Sequence, residues 1–259
     1  LPPDVNHSQS GFSTMGKNIL FGLSAIKSVG AGAVDHIIQI RDKKGHYKDF
    51  LSFCKRVNLS TANKRVIEHL TKSGAFDCLN ESRKAIMFQM DEVIDYAERY
   101  KRDKALGQGA SLFGDGDIPK PQFAGKNSEE WKEREKLAKE KEALGFYISG
   151  HPLMEYREFI KKYANTDIAT IPQKKANTEV VFAGVVSELN KKINKRKQSW
   201  AIGRIEDLTG TTEVMIYSQV YEKAEAILNS DTPLLLRGKV EDDNPPDSNP
   251  DGSEEQETM

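Results

Sequence analysis

The sequence predicts an α+β fold, with a helical first half followed by a region of strands. Apolar residues in the first half recur at three- and four-residue steps, as in Ile86, Met90 and Ile94, which is the spacing of an amphipathic helix. After about Val180 the period changes to that of β-strands. The chain of 259 residues is long enough for one large or two modest domains.

Composition divides the chain into five predicted regions. They are a helical domain (1–102), a linker rich in Gly, Pro and Asp (103–127), a charged helical connector (128–175), a strand domain (176–240) and an acidic disordered tail (241–259). The tail consists largely of Asp, Pro, Ser, Asn and Glu, a composition that cannot form a buried strand.

The charges of the chain are nearly balanced, with a formal net charge of −1. A nucleic-acid-binding function must therefore rest on local basic patches. The cysteines Cys54 and Cys78 lack metal-ligand spacing, which favours a reduced, cytoplasmic setting without a metal or other cofactor. The sequence has no apolar run of membrane-spanning length and no signal peptide, and it opens on Leu1, so we expect a fragment of a longer protein without membrane partners.

The first candidate site is a tight turn around Ser28, Gly30 and Gly32. Apolar residues on both sides of it indicate two helices that pack together, which predicts a helix–hairpin–helix: Leu23, Ile26, Val34, Ile37 and Ile38. The glycines let backbone amides approach a phosphate, the second helix directs its N-terminus at that phosphate, and Lys27 adds charge. Such a site binds the DNA backbone rather than the bases. Ser28 stands where this motif usually has its first glycine, and an ordinary helical hairpin is the alternative.

A second helical unit is predicted over residues 62–76, with Gly74 as its C-terminal stop. Lys64 and Arg65 lie on its outer side. Two interpretations remain open for these cations: a second DNA contact that accompanies the first hairpin, or a solvated surface.

The strand domain predicts most of an OB-fold. Strand candidates at 180–186, 200–206, 213–217 and 234–240, with a helix at 218–228 before the last of them, follow the order of that barrel. A fifth strand is needed to close the barrel, and the sequence shows none before the tail. We therefore predict a partial OB-fold.

A basic segment follows the first of these strands. Five positive charges occur in seven residues, namely Lys191, Lys192, Lys195, Arg196 and Lys197. Loops at this place in OB-folds commonly contact single-stranded nucleic acid, and base stacking on Trp200 would add to the attraction of phosphates. The alternatives are a solubilising hairpin tip for the charges and a position in the barrel core for Trp200.

The linker contains Gln108, Leu112 and Phe113 among small and polar residues. A glutamine followed by two large apolar residues in such a segment is typical of a short docking motif, in which the apolar pair fills a pocket on a partner. The alternative is that Leu112 and Phe113 pack against their own domain.

Several runs of residues, in order along the chain, resemble the alpha subunit of bacterial DNA polymerase III. They are residues 1–6, 21–27, 30–34, 63–66, 73–77, 142–153, and 206–210 before Glu213 and Val214. The resemblance implies a tandem helix–hairpin–helix domain that grips primer–template duplex, a motif that binds the sliding clamp, and an OB domain near the single-stranded template. It also implies other replicase subunits as partners.

The same resemblance places the catalytic aspartates of the family, with their Mg²⁺, in a palm domain upstream of Leu1. We therefore expect no nucleotidyltransferase activity from this chain alone. The clamp motif of the family is close to Gln-x-x-Leu-Phe, and this chain has one extra residue between Gln108 and Leu112. Two other functions remain open: a DNA-binding module of a repair or recombination protein, and a protein-interaction scaffold.

Overall fold

The computed structural model describes residues 1–105, 128–230 and 232–241. The chain divides into two compact units, Leu1–Gly150 and His151–Met259. This division falls inside the predicted connector (128–175). The fold class is α+β, as predicted, because the described part of the first unit is mainly helical and that of the second contains an antiparallel sheet. Among the described helices, none has the length and apolar character needed to cross a membrane.

The described part of the first unit contains five α-helices and one small β-hairpin. The hairpin pairs strands β1 (Ser13–Met15) and β2 (Asn18–Leu20), and the helices are α1 (Ala31–Lys44), α2 (Phe50–Arg56), α3 (Lys64–Lys72), α4 (Arg83–Ala105) and α5 (Glu133–Leu144). The sequence did not predict the hairpin. It did predict α3, although that helix is shorter than the 62–76 span, and Gly74 follows it with φ +85°.

Apolar side chains from these helices form one core. Three phenylalanines meet edge to face at its centre, with Phe76 5.5 Å from Phe50 and 4.9 Å from Phe53 between ring centroids. Side-chain caps start the helices that carry this core. Asp49 accepts the amide of Ser52 at the start of α2, and Asn63 accepts the amide of Val66 at the start of α3.

The second unit is built on a four-stranded antiparallel sheet. Its strands are β3 (Glu179–Ile193), β4 (Ser199–Glu206), β5 (Thr211–Ile216) and β6 (Leu234–Lys239), in the spatial order β5-β4-β3-β6. Helix α6 (Arg157–Tyr163) precedes the sheet, and α7 (Ser218–Leu228) lies between β5 and β6 in the chain. The predicted order of three strands, a helix and a strand is confirmed, and the sheet curls into a half-barrel.

Strand β3 holds the half-barrel together because it pairs with two different strands. Its first part, Glu179 to Gly184, pairs with β6, and its second part, from Val185, pairs with β4. Gly184 lies at the change of partner, where a Cβ atom would stand 2.2 Å from Cγ2 of Ile205. A side chain does not fit at this position, so glycine lets the two strands approach closely.

Candidate nucleic-acid-binding sites

The predicted helix–hairpin–helix has an abbreviated first helix. The segment before the turn is a single 3₁₀ turn, Leu23–Ala25, rather than the expected α-helix. Leu23 and Ile26 are nevertheless buried, as their place in the apolar pattern predicted, although the local structure differs. Ser28 has φ +63°, the left-handed conformation for which the first glycine of this motif is normally used.

The N-terminus of α1 is open to an anion. Gly30 is its N-cap residue and provides no side-chain cap, and within the described residues the amides of Ala31 and Gly32 donate no hydrogen bond. A Cβ atom on Gly30 or Gly32 would meet nothing within 4 Å, and residues 30–32 are all exposed. Unpaired amides at the positive end of a 14-residue helix are an anion-binding arrangement. We call residues 28–32 the phosphate turn.

Lys27 is held beside the phosphate turn by the end of α5. Its amide donates to the carbonyl of Ala143 at 2.9 Å. Its Cε atom passes 3.8 Å from the place where Gly145 would carry a Cβ atom. Gly145 ends α5 with φ +92°, a left-handed C-cap that favours glycine. The backbone of Lys27 is therefore fixed, and its exposed side chain extends from a defined position.

A buried ion network fixes α5 in turn. The guanidinium of Arg83, which is 1% exposed, donates to both carboxylate oxygens of Asp77 at 2.8 and 2.6 Å. It also lies 3.6 Å from the carboxylate of Glu140 on α5. Burial opposes the charge of Arg83, but hydrogen bonding to Asp77 and the nearby carboxylates outweigh it and raise its pKa. Gly74 leaves room for this group, since a Cβ atom there would stand 2.2 Å from Nη2 of Arg83.

Glu140 links this network to the segment that follows α5. Its fully buried carboxylate accepts the amides of Ile148 and Ser149 at 2.7 and 2.8 Å and the hydroxyl of Ser149 at 2.7 Å. Sequence reasoning missed Arg83, Asp77 and Glu140, because charged residues on helices are usually solvated. Part of the 142–153 run that resembles the polymerase family is thus a structural brace for Lys27.

The two cations predicted on the second helical unit lie in the first turn of α3. Lys64 forms an ion pair with Asp91 of α4 at 2.7 Å, and this hydrogen bond raises the pKa of the ammonium group. Arg65 is exposed. The charge of Lys64 is therefore partly compensated, whereas that of Arg65 faces solvent.

The basic segment of the second unit is a β-hairpin rather than a loop over its whole length. Strand β3 runs to Ile193, so Lys191 and Lys192 are strand residues and point to opposite faces of the sheet. The connecting turn carries the other three cations, Lys195, Arg196 and Lys197. Asn194 organises that turn, because its side-chain oxygen accepts the amides of Arg196 and Gln198.

The faces of this hairpin differ in their chemistry. Lys191 faces α7, where it forms an ion pair with Glu225 at 2.8 Å. Lys192 lies opposite Trp200, with its ammonium group 5.3 Å from the indole ring. Trp200 is half-buried and alternates with the buried Ala201, so the alternative that placed Trp200 in the barrel core is wrong. An indole and a cation therefore share the other face of the hairpin.

The predicted clamp-docking residues Gln108, Leu112 and Phe113 lie outside the described residues. Most of the predicted acidic tail, 242–259, lies outside them as well.

Comparison with known proteins shows which proteins the chain is similar to. Residues 1–86 match the family model described as a helix-hairpin-helix motif. The chain is 36% identical over 247 residues to the DNA polymerase III subunit alpha of Mycobacterium tuberculosis, covering 93% of this chain and 21% of that protein. It is 33% identical over 243 residues to the subunit of Vibrio cholerae, with the same coverage. It is 35% identical over 245 residues to that of Aquifex aeolicus, covering 94% of this chain and 19% of that protein.

The chain thus spans about a fifth of the length of these curated relatives. The similarity extends over both units, whereas the helix–hairpin–helix match is confined to the first. The resemblance predicted from the sequence is confirmed: the chain is homologous to a segment of the alpha subunit of bacterial DNA polymerase III.

Proposed function

We propose that the chain is a non-catalytic, DNA-binding segment of a replicative DNA-directed DNA polymerase. It binds primer–template duplex through the phosphate turn and Lys27, and single-stranded template through the β3–β4 hairpin. The observation that carries this proposal is the open N-terminus of α1, with its uncapped amides and the braced Lys27 beside it. The names of the relatives and the helix-hairpin-helix match support it.

Binding at the phosphate turn is expected to be independent of base sequence and sensitive to salt. Backbone amides and a lysine recognise phosphate oxygens, which every nucleotide carries. Each neutralised phosphate releases condensed counterions, so the logarithm of the binding constant falls linearly with the logarithm of salt concentration. A protein-interaction scaffold would show no such dependence.

The first prediction is that Gly30→Asp weakens duplex binding by about tenfold or more at low salt, because a carboxylate would repel the phosphate at the end of α1. Aspartate is a favourable N-cap residue, so the variant should fold at least as well as the parent. Fluorescence anisotropy of a labelled duplex across a salt series measures the effect.

Gly30→Asn is the matched control for this variant. Asparagine has nearly the same shape and also caps helices, but it adds no charge. We expect it to lose much less affinity than the aspartate variant. Equal binding by the parent and Gly30→Asp would remove the phosphate turn from the proposal.

The second prediction concerns the single strand and Trp200. Aromatic stacking on a base contributes about 1–3 kcal/mol, so Trp200→Ala should weaken the binding of an oligothymidylate by about fivefold or more. Binding of a blunt duplex to the first unit should remain unchanged. Trp131→Ala removes the other tryptophan and serves as the control. Full retention of oligothymidylate binding by Trp200→Ala would exclude stacking on this residue.

We further propose that Leu112 and Phe113, with Gln108 in a secondary role, dock the chain on the sliding clamp. The support is the composition of the linker, in which two large apolar residues stand among Gly, Asp and Pro. Such side chains contribute binding energy when they fill an apolar pocket of a partner. The other subunits of a replicase are the remaining proposed partners.

A further inference from the structure

The β1–β2 hairpin of the first unit exposes apolar side chains that its own unit does not cover. Every residue from Thr14 to Ile19 is exposed. Ile19 is 66% exposed, Phe12, which directly precedes β1, is 60% exposed, and Met15 is 46% exposed. A two-stranded ribbon with three residues in each strand has little stability of its own. A cluster of exposed apolar residues on such a ribbon indicates a binding surface.

The base of the hairpin is fixed, although its tip projects into solvent. Leu20 is buried, and the ring of Phe12 packs edge to face on Phe21 at 4.8 Å. Gly22 lies so close to Gly11 that a Cβ atom would stand 2.4 Å from the carbonyl carbon of Gly11. The two strands are therefore held together where they leave the core. The tip is a two-residue turn in which Gly16 has φ +63° and Lys17 is exposed.

The charge of this region indicates a polyanionic occupant. The sequence contains no Asp or Glu between Asp4 and Asp35, although the chain has 39 acidic residues among 259. This interval contains the whole hairpin and the phosphate turn, and its lysines are Lys17 and Lys27. This stretch of the chain therefore contributes two lysines and no carboxylate of its own, so it does not itself repel a phosphate backbone.

A continuous row of contacts connects the hairpin with the phosphate turn. Lys27 passes over Gly145, and the next residue, Phe146, has its ring 5.7 Å from that of Phe21. Phe21 in turn contacts Phe12. The half-exposed Phe146 and the exposed Phe12 thus extend an apolar surface from the lysine to the hairpin.

We propose that the β1–β2 hairpin is a second contact with duplex DNA, placed in a groove beside the phosphates that the turn binds. Lys17 contacts a phosphate, and Ile19 and Phe12 lie against the apolar faces of deoxyribose. Proteins that enter the minor groove commonly combine apolar side chains with nearby cations. This inference rests on the proposed duplex binding and adds a second element to it.

The experiment measures duplex binding by the whole chain across a salt series for Lys17→Ala and Ile19→Ser. Lys17→Ala should weaken binding by about threefold or more and lower the slope against the logarithm of salt by about one, since one phosphate contact is lost. Ile19→Ser should weaken duplex binding by a similar factor with an unchanged slope. It should leave the binding of heparin, a polyanion without deoxyribose, unchanged.

Two matched controls come from the same unit. Lys43→Ala removes a cation at the other end of α1, and Phe88→Ser removes an apolar side chain that is 88% exposed on α4. Neither should change duplex binding. Thermal unfolding of each variant, monitored by circular dichroism, checks that the fold is retained.

The outcomes separate this inference from the function on which it rests. If Gly30→Asp loses binding while Lys17→Ala and Ile19→Ser bind as the parent does, the hairpin contact is refuted and the phosphate turn is retained. Losses in the hairpin variants but not in Gly30→Asp would refute the turn and retain the hairpin. A parent chain that does not bind duplex DNA would refute both, and the apolar hairpin would then be assigned to a protein partner.

Discussion

Replacing Arg83 with methionine is expected to lower the free energy of unfolding of the first unit by about 3–5 kcal/mol, which is the usual result of removing one partner from a buried ion pair. Glu140, which is fully buried, would lose the cation 3.6 Å from its carboxylate. The carbonyl of Lys72 would also lose a donor. Methionine fills much of the volume but replaces none of these hydrogen bonds.

The effect should extend to DNA binding. Glu140 orders Ile148 and Ser149, and α5 supplies the carbonyl of Ala143 that fixes the backbone of Lys27. When the network fails, the end of α5 loses one of its attachments, and the backbone of Lys27 is held less firmly. We therefore expect weaker duplex binding even at temperatures where α1 remains folded.

Urea denaturation followed by circular dichroism measures the free energy of unfolding of each variant. Lys84→Met is the matched control, since Lys84 forms an exposed ion pair with Glu129 at 2.8 Å. Exposed pairs contribute about 0–1 kcal/mol, so this neighbouring variant should unfold close to the parent. Similar midpoints for Arg83→Met and Lys84→Met would show that the buried network does not stabilise the unit.

The double variant Leu112→Ala with Phe113→Ala is expected to abolish binding to the sliding clamp. Burial of each side chain in a pocket contributes about 1.5–3 kcal/mol before costs are subtracted. The conformational entropy lost on docking offsets part of this gain, so the parent affinity should be roughly micromolar, and the loss of both anchors should remove detectable binding. Titration calorimetry with the clamp of the same organism measures the affinity.

Two further measurements show whether the loss of clamp binding is specific to Leu112 and Phe113. Gln108→Ala should have a smaller effect than the double variant, because the extra residue before Leu112 displaces the glutamine from its usual spacing. Duplex binding by the double variant should equal that of the parent, since the phosphate turn is unchanged. A double variant that binds the clamp as tightly as the parent would place the clamp contact elsewhere.

The sequence predicted the elements whose apolar pattern is set by burial on one face. Helix α7 begins and ends at the predicted residues, Ser218 and Leu228. Strands β4, β5 and β6 match their predicted positions within two residues. Strand β3 extends seven residues beyond its predicted end at Val186, because pairing with β4 continues where the side chains are already polar.

The elements that depend on distant contacts were not predictable from local patterns. The β1–β2 hairpin has strands of three residues and exposes its apolar side chains, so it gives no strand signal. The buried position of Glu140 depends on Arg83 and Ser149, and a charged helix gives no local sign of such partners.

The candidate DNA site also contains features that the sequence predicted and features that it did not. Glycine at positions 30 and 32 was recognised from the sequence, because a turn that meets phosphate requires little side-chain bulk. The attachment of Lys27 to Ala143 was not recognised, since it joins residues far apart in the chain. The sequence left the position of Trp200 open between base stacking and the barrel core, because its period alone does not show which face of β4 packs inward.

Backbone amide chemical shifts, measured while a short blunt duplex is titrated into the labelled chain at low salt, locate the DNA contact most directly. Binding at the end of α1 predicts that the amides of Gly30, Ala31 and Gly32 shift most, together with that of Lys27. It also predicts that added salt reverses these shifts. Saturable duplex binding that leaves these four amides unshifted would contradict the phosphate turn as the site of DNA binding.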